Sequence, residues 1–142
     1  MGRISVHLHG LAKEKAYAEM LKNYGDRLKS CSIDIVFHNS KKSLDDYFDA
    51  ISKNSALYLL DENGDEYTSR DFAKTIKQWT VSNRDVSLAI GPVDGWGEYK
   101  HRNTNLIALS KMTYPHELAA VMLVEQVYRA TEIIKGSNYH RN

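Results

Sequence analysis

The most constraining stretch runs from Leu109 to Asn142 and reads LSKMTYPHELAAVMLVEQVYRATEIIKGSNYHRN. Pro115 suits the first turn of a helix, where its missing N–H would have had no partner. Leu118, Ala119, Ala120, Val121, Met122, Leu123, Val124, Val127 and Tyr128 then put apolar side chains on almost every face. A helix apolar all round must be covered on more than one side. In a short chain this predicts one face against its own sheet and another against a second copy of the chain. Gly136 takes a typical helix-stopping position, and Asn138, Tyr139, His140, Arg141 and Asn142 form a polar tail. Chemistry placed there is unusual, because chain ends normally fray.

The 142 residues are expected to form one domain over 1–142, long enough to bury roughly 68–70% of the unfolded surface. With 19 Lys and Arg against 18 Asp and Glu, the net charge is +1. No global field therefore draws the chain to nucleic acid or membrane, although a local patch can still serve RNA. The lone Cys31 excludes an internal disulfide framework and fits a reducing compartment. The N-terminus enters an alternating pattern without a long apolar segment, unlike a signal peptide. The longest apolar run is far short of a membrane span. The expectation is a soluble, cytoplasmic chain.

Ile4, Val6 and Leu8 alternate with Ser5, His7 and His9, which predicts a half-buried strand ended by Gly10. Apolar positions at three-and-four spacing predict an amphipathic helix from Lys13 to Lys29. Ile33, Ile35 and Phe37 read as a second strand, and Ser43 can cap a short helix carrying Tyr47 and Ile51. Ala56 to Leu60 suits a buried parallel strand, with Asp61-Glu62-Asn63-Gly64 as a turn. Thr68 with Asp71 resembles a capping box before a helix through Phe72, Ile76 and Trp79. Asp85 to Ile90 and Leu106 to Leu109 complete the strands. This order predicts an α/β fold with a mostly parallel sheet flanked by helices. Ligands in such sheets sit beyond the carboxyl ends of the strands. Leu60-Asp61, Gly91 to Gly97 and Leu109 to Tyr114 should therefore converge on one pocket.

Candidate chemistry follows from these positions. The loop Gly91-Pro92-Val93-Asp94-Gly95-Trp96-Gly97 would let backbone approach a ligand, yet it is neither GxGxxG nor a P-loop. His7 and His9 share a strand face, but no third ligand is suggested by spacing, so no metal is expected. Glu125 and Arg129 stand four apart, as an i,i+4 ion pair or a pair that orients a neighbour or bridges subunits. His116 is placed to pack or to hydrogen-bond the loop before it. Lys100, His101 and Arg102 read as a solvated basic face. Tyr139, His140 and Arg141 combine a stacking ring, a group that titrates near neutrality and an oxyanion-binding guanidinium; a frayed basic tail is the alternative.

RDVSLAIG (Arg84 to Gly91), LSKMTYPH (Leu109 to His116), EQVYRA (Glu125 to Ala130) and the closing YHR (Tyr139 to Arg141) together resemble the ribosomal RNA large subunit methyltransferase H family. The resemblance covers nearly the whole chain, and the order and spacing of the C-terminal motifs make it specific. It implies a SPOUT-class fold with a C-terminal trefoil knot, which periodicity alone could not propose. It also implies a homodimer and methyl transfer from S-adenosyl-L-methionine to nitrogen 3 of a pseudouridine in 23S rRNA, with no DNA or membrane partner.

By motif position, Leu60 would line the cofactor slot and Gly91 would approach it by backbone. Leu109, Ser110, Lys111, Met112, Thr113 and Tyr114 would wrap the adenosine. Tyr139, His140 and Arg141, from this or the partner subunit, would border the target base as catalytic residues. His140 would assist deprotonation and Arg141 would stabilise the developing oxyanion. The chain departs from the family at Gly91-Pro92-Val93-Asp94-Gly95, where a second glycine is usual, and Pro92 removes one backbone N–H. It is also shorter before Ala56. The alternative reading is a non-catalytic ribosome- or RNA-binding module with the same fold.

Overall fold

The structure, a computed structural model, describes residues 2–102 and 105–141; Met1, Asn103, Thr104 and the tail's Asn142 lie outside the described residues. The elements in chain order are β1 (Ile4–His9), α1 (Lys15–Leu28), β2 (Ile33–His38), α2 (Leu44–Ile51), β3 (Ala56–Glu66), α3 (Ser69–Val81), β4 (Val86–Ala89), α4 (Tyr99–Arg102), β5 (Leu106–Ala108) and α5 (His116–Lys135). The sheet order is β2-β1-β4-β3-β5, and every neighbouring pair is parallel. The expected α/β class with a parallel sheet is therefore what the chain forms.

Both faces of the sheet are covered, which is why its strands tolerate apolar residues on either side. Ile4, Val6, Leu8, Val86, Leu88 and Ile90 bury one face in a core shared with Leu21, Phe72, Ile76, Val124 and Val127 of α1, α3 and α5. The other face, with Leu57, Leu59 and Ala89, packs on Tyr47 and Ile51 of α2 and on Trp96. Several helix ends are set by the residues the sequence nominates. Ser43 Oγ accepts from the Asp46 amide at 3.1 Å, and Thr68 Oγ1 accepts from the Asp71 amide at 3.0 Å. Gly136 closes α5 with φ +76, and its amide reaches the Ile133 carbonyl at 3.0 Å. Pro115 is the cap residue of α5 and lies just outside its first turn.

The basic residues Lys100, His101 and Arg102 lie on the short helix α4, with His101 and Arg102 exposed; Arg102 stacks over the Tyr99 ring and Phe48 lies against Tyr99. One local expectation needs correction. Asp61 to Gly64 do not end β3. Leu60 pairs with Ile107, the next four residues loop out, and Asp65 pairs with Ile107 again. The strand can re-enter because Gly64 lies against the β5 backbone, where a Cβ would meet the Ile107 amide nitrogen at 2.5 Å.

Candidate active site

Leu59 lies opposite both Ala89, the last residue of β4, and Leu106, the first of β5, so the bulge of β3 opens beside the ends of these two short strands. The loops that leave them enclose a cleft of about 810 Å³, within the usual range for a small-molecule site. Leu60, Gly91, Leu109, Ser110, Met112, Thr113 and Tyr114 line it. The three loops nominated from strand ends thus converge. Lys111 does not line the cleft and is exposed.

Specific contacts hold these loops. Ser110 Oγ lies 2.6 Å from Tyr114 Oη and accepts from the Met112 amide at 3.0 Å, which folds the 109–114 loop on itself. Thr113 Oγ1 donates to Glu62 Oε2 at 2.5 Å, tying that loop to the bulge of β3. Glu117 Oε1 accepts from the amides of Lys13 and Glu14 at 2.9 and 3.2 Å. His116 Nε2 donates to the His9 carbonyl at 3.3 Å, at the end of β1 and not in the loop before α5. Glu14, Asp61, Glu62 and Glu117 all border the cleft, and no Lys or Arg does so among the described residues. The cleft is therefore electronegative. It favours a cationic ligand and disfavours a phosphate.

Tyr139, His140 and Arg141 follow α5, with Tyr139 and His140 folded back onto it, and do not line the cleft of their own chain. Tyr139 and His140 are not frayed. Tyr139 Oη donates to Glu125 Oε2 at 2.8 Å, and Arg129 stacks over the Tyr139 ring at 4.9 Å. Arg129 Nη1 donates to His140 Nδ1 at 3.1 Å, while its Nη2 holds Glu125 Oε2 at 2.7 Å. The Glu125–Arg129 pair is thus both the helical ion pair and the device that orients a neighbour. Burial first, and then bonds to Tyr24 and Glu125, push the Tyr139 phenol above its ordinary range, so it stays a donor. Because guanidinium only donates, neutral His140 accepts at Nδ1 and carries its proton on Nε2.

Two contributors escape a reading of the sequence. Trp96 stands out there only as part of its loop, yet it is 3% exposed and lines the cleft. Tyr17 reads as one apolar position of α1, and it borders both the cleft and a second groove of about 450 Å³ along α5. The rings of His7 and His9 bond different partners: His7 Nδ1 lies 2.9 Å from His38 Nε2 and His9 Nε2 donates to the Lys42 carbonyl at 2.7 Å. Among the described residues, no group of three or more His, Cys, Asp or Glu is placed to hold a metal ion. No helix among them is long and apolar enough to cross a membrane.

An all-parallel α/β domain with its cleft at the ends of β3, β4 and β5 is the kind of scaffold that binds a nucleotide-like ligand by loop backbone. Residues 3–140 match the family model described as Predicted SPOUT methyltransferase, and the chain belongs to the SPOUT methyltransferase family. Among its relatives is Ribosomal RNA large subunit methyltransferase H of Dechloromonas aromatica, 42% identical over 94 residues, covering 66% of this chain and 60% of that protein. The protein of the same name in Cereibacter sphaeroides is 45% identical over 93 residues, or 65% of this chain and 60% of that protein. The matched region thus spans about three fifths of the length of these relatives. A crystal structure of TrmJ from Z. mobilis ZM4 superposes with a TM-score of 0.54, covering 100% of this chain and 72% of that one. At 10% identity it speaks to the fold alone.

Proposed function

We propose that this chain is an S-adenosyl-L-methionine-dependent methyltransferase acting on nitrogen 3 of a pseudouridine in 23S rRNA, in the cytoplasm and as a homodimer. The observation that carries the reading is the coincidence of the cleft lining with the family's cofactor motifs at Leu60, Gly91, Leu109, Ser110, Met112, Thr113 and Tyr114. The cleft suits this cofactor on its own chemistry. Leu60, Ile90, Leu109 and Met112 offer apolar wall to a nucleoside, and the four carboxylates at the rim complement a sulfonium and an ammonium group. When bound there, the cofactor supplies an activated methyl group.

The same carboxylates repel RNA phosphate, so one subunit makes an incomplete site. The second copy supplies what is missing. α5 leaves Leu118 and Met122 lining the groove that runs beside Tyr17 and Met20. Covering that groove with another α5 brings the partner's cationic tail toward the cleft. In this arrangement Arg141 offers positive charge to the target base, and the Nε2–H of His140 donates to a carbonyl oxygen beside N3. Both favour loss of the N3 proton to solvent, and the developing charge on the imide is met by donors already in place. His140 then acts as a donor, and no strong base is required. The reading also gives the chain the family's trefoil knot.

The test is incubation of the purified chain with radiolabelled S-adenosyl-L-methionine and ribosomes lacking the modification. Label in the large-subunit RNA is expected, and its digestion should yield N3-methylpseudouridine. Cofactor binding without transfer would replace this reading by the non-catalytic ribosome-binding module.

A further inference from the structure

Between Pro92 and Gly97 the loop after β4 buries a single side chain, Trp96, while Val93 is 78% exposed at its tip. Pro92 has no N–H to offer a ligand; its carbonyl instead accepts from the Gly95 amide at 2.8 Å, and the turn then drops Trp96 back into the core. There the indole touches both walls of the cleft. Its Nε1–H donates to the Leu60 carbonyl at 2.9 Å, at the point where β3 begins its bulge. Its ring lies under Gly91, where a methyl group would meet it at 3.1 Å. Tyr47 of α2 completes the layer. Its ring stacks on the indole, with centroids 5.7 Å apart and planes 5° from parallel, and its hydroxyl donates to the Ile90 carbonyl at 2.7 Å.

We propose that Trp96 is a positioning residue of the cofactor cleft: its indole N–H on Leu60 and its ring under Gly91, backed by Tyr47, set the spacing of the two walls before the ligand arrives. This rests on the methyltransferase reading. The carbonyls of Leu60 and Ile90 already accept from Trp96 and Tyr47, which ties both walls to the layer beneath them. A preformed site avoids the ordering cost of binding. The Trp96 layer does so from beneath a turn in which Pro92 has removed one donor.

The test is calorimetric titration of the full chain with S-adenosyl-L-methionine. Trp96→Phe keeps a ring but removes the N–H, and should weaken binding about tenfold, the scale of one lost hydrogen bond. Tyr47→Phe should weaken it less. In both, KM for the cofactor should rise while kcat at saturation is kept, and unfolding should stay cooperative. A Trp96→Phe affinity within twofold of the parent chain at a temperature where both are folded would overturn the proposal. Should Trp96→Phe fail to fold, Trp79→Phe leaves Trp96 as the one tryptophan of the two in the sequence. Its emission should then shift on cofactor titration, and emission unchanged at saturation would overturn the proposal. A parent chain that binds no S-adenosyl-L-methionine would sink the methyltransferase reading itself, and this inference with it.

Discussion

Arg129 and Glu125 form an ion pair at 2.7 Å that also holds the C-terminal tail, through His140 on Arg129 and Tyr139 on Glu125. The pair is half-buried, and its hydrogen bond raises the Arg129 pKa. Its structural effect is to give a fixed geometry to residues that would otherwise fray.

Replacing Arg129 with Ala should release the tail more than it destabilises the helix. The amides of Tyr139 and His140 should exchange with solvent much faster. Global stability should fall by only about 1 kcal/mol, the upper range for pairs that solvent still reaches. Methyl transfer should fall at least tenfold with cofactor affinity kept. Unaltered exchange in the tail would show that these contacts do not order it.

His7 predicts a specific acid sensitivity. Lys42 Nζ lies 3.3 Å from His38 Nδ1, and an ammonium only donates. His38 therefore donates from Nε2 to His7 Nδ1, and His7 donates from Nε2 to Ser87 Oγ at 3.1 Å, which meets Ser55 Oγ at 2.8 Å. The chain of bonds needs both histidines neutral. Burial first, then the neighbouring His38, lowers the His7 pKa from 6.5 to about 4. Burial also lowers that of His38.

Because the unfolded His7 binds a proton that the folded one refuses, stability should fall as pH drops through 6.5 and level off near 4. The loss from His7 is on the order of 3 kcal/mol, since each pH unit between the unfolded and folded pKa is worth about 1.4 kcal/mol. Urea unfolding at pH 7.5 and pH 5, compared with His7→Gln, checks this; the variant should lose part of the pH dependence.

Gly64→Ala should be among the most damaging small changes. Its Cβ would press on the backbone of Leu106 and Ile107, which has no flexible end to move aside. Overpacking of this kind costs about 1–3 kcal/mol. The Tm should fall by several degrees, and the re-entry of β3 beside β5 should be lost along with the Thr113–Glu62 tie. Thermal melting alongside cofactor titration would read both effects.

Met122→Glu should separate the two levels of assembly. Its side chain is half-buried and lines the groove along α5, so the isolated fold should tolerate a carboxylate there. Sedimentation should show a monomer that still binds S-adenosyl-L-methionine and no longer transfers methyl groups. A variant that stays dimeric would place the interface on another face.

Much of the fold was legible because its determinants are local. Ser43 and Thr68 cap the helices they precede, since a side-chain oxygen three residues before an amide is a short-range relation. The period-two run of β1 and the apolar run of β3 marked strands for the same reason. Asp61 to Gly64 were legible as a turn, but not as a loop within one strand. That depends on β5, more than forty residues away in the chain, offering Ile107 twice to the same partner strand. His7 and His38 were separately visible, yet their bond required β1 and β2 to pair with His7 beside Val36 and His9 beside His38.

By itself, the sequence determined the α/β class, the strand ends where a site must lie and the motifs that carry the family. These follow from periodicity, capping and residue order, which act within a few positions of one another. Tertiary structure alone decided that Trp96 would lie beneath both walls of the cleft, that four carboxylates would ring it, and that the tail would be held by Arg129 and Glu125 outside the lining of its own pocket. Each of these depends on which faces meet after the sheet is assembled. That is set by packing between distant segments, and no local pattern records it.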